Sequence, residues 1–256
     1  MAHKTLISGT AYDVKGGREL IGGTGYGCKA GKTLIGGTAF TVPFSKGIPI
    51  RTITPGAILY LNESGSPVPF YIAKHDYESG LNGAGRTLVV RKNCYAQYKF
   101  GADYNTYAGS ETDVWLNNAW LKLLDADVQA AISKTKFYYT PGNGNNTVTT
   151  LQRAAFLLSM TEFGYTNSNM NTEGVNLPIS AKLRKATNNI GTYVVQWTRS
   201  PVANDSEAIY YMWILNAAGN TTAKIVTDYG WERPAFTLPG TFPVIQNPDG
   251  TYTLAA

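Results

Sequence analysis

The densest apolar pattern in the chain lies between Trp197 and Pro239, WTRSPVANDSEAIYYMWILNAAGNTTAKIVTDYGWERPAFTLP. An apolar run from Ala208 to Leu215, a Gly219-Asn220 turn signal and a strand-like run from Ala223 to Thr227 predict a hairpin. Because both runs are rich in aromatic and β-branched residues, the hairpin is expected to be buried on both faces at the centre of the core. Upstream, Ala57–Leu61 and Phe70–Ala73 read as strands around a turn spanning Glu63 to Pro67, and Arg86–Arg91 reads as a third strand. Glu78 to Gly85 reads as loop. Ser110 with Asp113 approximates a capping box, so a helix is expected there, with Val114, Trp115, Leu116, Trp120, Leu123 and Leu124 as its apolar stripe. Asp125 is expected to cap a second short helix reaching Ile132. Pro141 to Asn146 reads as a surface loop, and Ala154–Ser159 as a buried strand.

The first 45 residues follow a different rule. Lys4–Gly17, Arg18–Gly31 and Lys32–Ser45 are copies of one unit with an uninterrupted period of 14. Each opens on a basic residue, continues with Leu-Ile, then Gly-Thr, then Tyr or Phe. A unit this short cannot bury its own apolar face, so copies must stack on one another or on other chains. Residues 1–45 are therefore expected to form a β-repeat stalk that makes a homo-oligomer, a trimer by preference, and that docks onto other proteins. Residues 46–256 form the body. The string Tyr26 to Thr33 imitates a phosphate-binding loop but has Tyr26 where its first glycine is required, and the repeat explains Lys32-Thr33.

Composition narrows the function classes. Charged residues make up 15% of the chain, while tyrosine numbers 17 and glycine 27, the mark of a β-rich binding or structural protein. The net charge of +5 comes from scattered Lys and Arg, which argues against a nucleic-acid partner. No stretch approaches the length of a membrane span, and MAHKTLISG lacks the apolar run of a secretory signal, so a chain made soluble in the host cytoplasm is expected. Cys28 and Cys94 fall in separate modules and are expected to be reduced.

The order RTLVVRK, SETDVWLNNAWLKLLDADVQAAI, AAFLLSMTEFG, QWTRSP and ERPAFTLP resembles a widespread, largely uncharacterised domain of bacterial and bacteriophage proteins. The resemblance spans roughly residues 50 to 240, and its most specific parts are WTRSP and RPAF. It implies an α+β, β-rich, C-type-lectin-like fold, which also occurs in formylglycine-generating enzymes and phage tropism determinants. The repeats are similar to N-terminal segments of phage tail-fibre and other virion appendage proteins. The catalytic cysteines of formylglycine-generating enzymes and the calcium-binding tripeptides of sugar-binding C-type lectins have no counterpart. Trp115-Leu-Asn-Asn118 is not such a tripeptide; it is expected to pack.

With His3 and His75 alone, and in different modules, neither a Ser-His-Asp triad nor a multi-histidine metal site is expected, and no cofactor is called for. His75 is expected to be a packing or surface residue. Trp197, Arg199, Arg233 and Phe236 are expected to be structural, the arginines bonding carbonyls or carboxylates inside the fold. Asn204, Asp205, Tyr210, Tyr211 and Trp231 are the candidate ligand-binding residues, since Tyr and Trp give large contact area with few rotors. The expected function is non-enzymatic: a virion structural protein, a tail-fibre or tail-tip adhesin that recognises a host surface glycan or protein. The alternatives are a capsid or baseplate decoration protein, and a cell-wall glycan hydrolase with Glu162 and Glu173 as acid and base.

Overall fold

A computed structural model describes residues 47–203 and 208–255 in full and, before them, the backbone of six strands. The chain divides into two compact units, one of residues 1–47 with 254–256, the other of residues 48–253.

In the first unit the strands are β1 (His3–Ile7), β2 (Thr10–Val14), β3 (Arg18–Ile21), β4 (Thr24–Gly27), β5 (Gly31–Ile35) and β6 (Thr38–Val42). They form three antiparallel hairpins, one per sequence copy. The register recurs with the repeat: Ile7 faces Thr10, Ile21 faces Thr24 and Ile35 faces Thr38.

The body is β-rich with short helices. Its strands are β7 (Ile48–Pro49), β8 (Ile58–Glu63), β9 (Ser66–Lys74), β10 (Arg86–Arg91), β11 (Gln97–Lys99), β12 (Thr135–Tyr139), β13 (Thr149–Arg153), β14 (Ala155–Phe156), β15 (Gln196–Pro201), β16 (Tyr211–Leu215), β17 (Thr221–Ile225), β18 (Tyr229–Trp231), β19 (Ala235–Pro239), β20 (Pro243–Gln246) and β21 (Tyr252–Leu254). Its helices are α1 (Ser79–Asn82), α2 (Glu111–Asn118), α3 (Ala126–Ala131) and α4 (Ser180–Leu183). The larger sheet has the order β14-β19-β10-β9-β8-β21-β20-β7, and the smaller one β11-β18-β15-β16-β17. No helix among the described residues is long and apolar enough to cross a membrane.

The predicted strands on either side of Ser64-Gly65 are present and longer than expected. Ser64 and Gly65 take φ of 53° and 77°, the two-residue turn whose twist matches a hairpin. Pro67, expected to end the turn, and Pro69 lie inside β9 opposite Asn62 and Tyr60, in a part of that strand with no ladder to β10. Within β10, Leu88, Val89 and Val90 are fully buried, as a strand sandwiched between β9 and β19 requires.

Both expected helices are present, one without its expected cap, and one loop expectation does not hold. Ser110 Oγ accepts the Asp113 amide at 3.1 Å, capping α2. The stripe is incomplete: Leu116, Trp120 and Leu124 are buried, but Val114 is 49% exposed because α2 buries the face of Thr112, Asp113 and Leu116 instead. Asp125 precedes α3 without a side-chain cap; its carboxylate instead accepts from Asn62 Nδ2 at 2.7 Å. The Glu78–Gly85 segment contains the single turn α1. His75 is held between Thr87 Oγ1 and the Ile53 carbonyl, a packing role.

The hairpin of β16 and β17 is present, but it is not the centre of the core. β17 is the edge of the smaller sheet, with Thr222 and Ala223 exposed. All six residues of β15 are buried, which makes QWTRSP the central strand. The sheet closes tightly there: a Cβ added at Gly230 would sit 2.6 Å from Nε1 of Trp197, whose indole donates to the Tyr98 carbonyl. Gly230→Ala is therefore expected to force the indole aside and destabilise the body by about 1–3 kcal/mol, seen as a lower denaturant midpoint. An unchanged midpoint would show that this packing is slack.

Candidate functional site

Gln196, just before WTRSP, and Arg233, at the head of RPAF, converge on one floor. Arg233 is buried and donates to the carbonyls of Arg91 (2.8 Å), Lys92 (2.9 Å) and Leu183 (2.6 Å). Gln196 donates to the carbonyls of Leu183 and Arg184 at 3.1 and 3.0 Å. One guanidinium and one amide thus lock the end of β10 against the end of α4. Burial pulls Arg233 below the usual guanidinium range, as expected for a cation whose partners here are mainly carbonyl dipoles. Beneath lies a small apolar cluster of Cys94, Ala186 and Val194 with Trp231 packed on it. Burial pushes the free Cys94 thiol up to about 12, so it is a filler, not a nucleophile.

Above this floor is a cleft of about 520 Å³. Lys92, Lys182, Arg184 and Lys185 contribute four cations to its lining, and among the described residues no Asp or Glu lines it. Arg184 is the fixed one: it donates to the Phe163 and Gly164 carbonyls and stacks on Tyr165 with its guanidinium carbon 4.3 Å from the ring centroid. The Tyr165 hydroxyl in turn donates to the Gly219 carbonyl at 2.5 Å. Gly219 closes the wall, and its φ of +85° and the closeness of Lys185 Cγ, 2.9 Å from an added Cβ, leave no place for a side chain. Tyr193, 58% exposed, forms the outer lip, with Lys185 Nζ 5.9 Å from its ring centroid.

A second polar cluster is closed. Arg199 is buried beneath Phe137, with its guanidinium carbon 4.6 Å from that ring, and donates to Glu162 Oε2 at 2.7 Å and to the Tyr138 and Leu157 carbonyls. Glu162 also accepts from Tyr77 at 2.6 Å and from the Ser159 amide at 2.7 Å. Glu173 accepts from the Thr140 amide and the Ser200 hydroxyl. Both carboxylates are 0% exposed. Burial drives Glu173 up to about 7 despite the opposing pull of Arg199, Ser200 and Thr140. As an acid and base pair for glycan cleavage, Glu162 and Glu173 are in the wrong place: neither reaches a surface where a sugar binds.

The expected contact residues do not gather at one point. Tyr210 is 43% exposed and stacks on Tyr104, also exposed, with centroids 5.7 Å apart, and Tyr211 follows at the start of β16. Trp231 is level with Gln196 and Leu215, at the opposite end of β16, and is half-buried. Asn204 and Asp205 lie outside the described residues, as does Cys28. Asn105 pins both flanks of that segment, donating to the carbonyls of Val202 and Ala208. Among the described residues no group of three or more His, Cys, Asp and Glu side chains is placed to hold a metal.

The cleft residues Lys92, Lys182, Arg184, Lys185, Tyr165 and Tyr193 escaped the sequence reading. A signal was present in Lys182-Leu-Arg-Lys185, three cations in four positions, in a chain whose basic residues otherwise look scattered. Lys92 joins them through tertiary contacts, the Arg233 bonds and the Cys94 amide donating to the Thr187 carbonyl.

A family model described as a domain of unknown function, DUF6273, matches residues 84–240, more than half of the chain, which therefore belongs to that family. The match includes every cleft residue named above and both motif strands. No curated protein and no solved structure matches the chain.

Proposed function

We propose that this DUF6273 member is a non-enzymatic component of a phage particle, a C-type-lectin-like body on a repeat stalk that serves as a tail-fibre or tail-tip adhesin. The observation that carries this reading is the contrast between the two polar clusters. The basic, tyrosine-lined cleft is open and stands on a hydrogen-bonded floor, whereas the carboxylates that hydrolysis needs are sealed. Binding requires a pre-formed concave surface with a few placed polar groups, and the cleft supplies one. Support for the lectin-like reading comes from the return of β21 beside β8, which joins the two ends of the body in one sheet.

The stalk gives weak heads avidity. Three hairpins with a common register form a unit too small for a deep core, which favours association through residues 1–45, with a trimer as the expected product. Removing residues 1–45 is expected to leave a folded monomer by sedimentation; an oligomer of unchanged size would contradict the stalk.

Antibody raised against the body should label intact particles at the tail tip or fibres in negative-stain micrographs. Label over the capsid would favour a decoration protein instead, and particles without label would overturn the virion reading.

A further inference from the structure

We infer that the cleft floored by Arg233 binds an anionic saccharide, a sugar carrying phosphate or carboxylate groups; this rests on the adhesin reading and specifies its ligand. The first reason is unbalanced charge. Lys92, Lys182 and Lys185 are exposed and, among the described residues, none is paired with a carboxylate. Three unpaired ammonium groups and the fixed Arg184 guanidinium in one concave wall create a local positive potential that no acid among the described lining residues cancels. The surface ion pair of Lys224 with Asp228 shows the ordinary alternative: a lysine neutralised by a carboxylate four residues away.

The second reason is the division of labour between the cations. Arg184 donates from Nε and Nη2 to the Phe163 and Gly164 carbonyls and sits over the Tyr165 ring, so it contributes charge at a fixed point of the wall. The lysines keep all their donors. A charge-assisted bond to an anionic oxygen is about twice as strong as a neutral one. The third reason is the exposed Tyr193 face at the lip and the Tyr71 and Tyr165 rings in the lining, flat apolar surfaces beside polar donors. A sugar ring presents C–H groups on one face and hydroxyls at its edge, and this pairing of surfaces suits it. The volume of about 520 Å³ falls within the range of small-ligand sites. A single-stranded nucleic acid also carries phosphates and flat rings, but it needs a basic track several nucleotides long, whereas these four cations share one compact cleft.

The test is titration of the full chain, followed by calorimetry, with four probes: a glycerol-phosphate oligomer, a hyaluronan hexasaccharide, maltohexaose and an oligothymidylate. Binding of either anionic saccharide over maltohexaose and oligothymidylate by at least about tenfold supports the inference, and whichever binds names the anionic group. The double substitution Lys182→Glu with Lys185→Glu is expected to reduce that binding by about tenfold or more with an unchanged melting profile, and Lys99→Glu, outside the cleft, to leave it intact. Equal binding of maltohexaose, preference for oligothymidylate, indifference to the double substitution, or no binding of any probe would overturn it. These failures are separable from failure of the adhesin reading. Label at the tail with no saccharide binding leaves an adhesin whose contact lies elsewhere, whereas saccharide binding without label on any particle keeps the cleft and removes the phage.

Discussion

Arg199→Met is expected to unfold the body. The arginine is the cation of a sealed cluster: Glu162 bonds it directly, Glu173 feels its charge, and Phe137 lies over its guanidinium. Burial alone would lower its affinity for a proton, yet Glu162, Tyr77 and Glu173 carry it above its ordinary range, so it stays charged. Methionine fills similar volume, but it leaves Glu162 as an unpaired buried anion and frees the Tyr138 and Leu157 carbonyls. Removing one partner of such a pair costs about 3–5 kcal/mol, a large part of a typical domain's stability. The check is a double-mutant cycle by urea unfolding. Adding Glu162→Gln to Arg199→Met removes the stranded charge and should recover much of the loss, since the glutamine carbonyl oxygen can still accept from the Ser159 amide while its NH2 donates to the Tyr77 hydroxyl oxygen. If Arg199→Met folds with near-normal stability, or if the second change deepens the loss, the arginine is not the centre of the cluster.

Local signals accounted for much of the fold. The capped start of α2, the strand Arg86–Arg91, and the hairpin around Gly219-Asn220 each follow from a motif within a dozen residues. The structural role assigned to Arg199 and Arg233 also agrees with the structure, since both donate to carbonyls or a carboxylate of the interior, although the buried Nη2 of Arg199 has no partner among the described residues. What failed was depth. Apolar density placed the core at the β16–β17 hairpin, but sheet order decides which strand is central, and order comes from pairings between residues far apart in sequence. β15 lies between β18 and β16 because Gln196 pairs with both Trp231 and Leu215. The hairpin of β12 and β13 went unread because its pattern, TKFYY against TTLQR, alternates weakly. The cleft was hidden for the same reason as the core: Lys92 lies far along the chain from Lys182–Lys185, and they become neighbours through Arg233, a residue whose sequence context gives no hint of what it holds. Aromatic density, by contrast, drew attention to Trp231, which packs on Cys94, Ala186 and Val194.

The body is also expected to lose stability as pH rises from 5 to 8, the reverse of a protein held by surface carboxylates. Glu173 is pushed up to about 7 and Glu232 to about 8, in both cases first by burial. Glu232 is fully buried, with one oxygen accepting from Thr112 at 2.6 Å and the other without a partner among the described residues. Burial also raises Glu78, which has its own unpartnered oxygen beside Gly174. In the unfolded chain these groups titrate near the ordinary carboxylate value, about 4.3. Between that value and the raised ones the native state holds more protons, so unfolding becomes easier with each step up in pH. The contribution is fully present below about pH 4.3 and is lost as pH passes through 7 and then 8. At about 1.4 kcal/mol per pKa unit, the two large shifts together amount to a loss on the order of 9 kcal/mol once pH has passed both values. Glu232→Gln carries the same shape without the ionisation and keeps an oxygen for Thr112. Its denaturant midpoint should match the wild type at pH 5 and exceed it at pH 8. If the two proteins instead follow parallel curves, Glu232 does not titrate in this window and the loss belongs to the Glu173 side of the cluster; a wild-type midpoint that rises with pH would refute the linkage altogether.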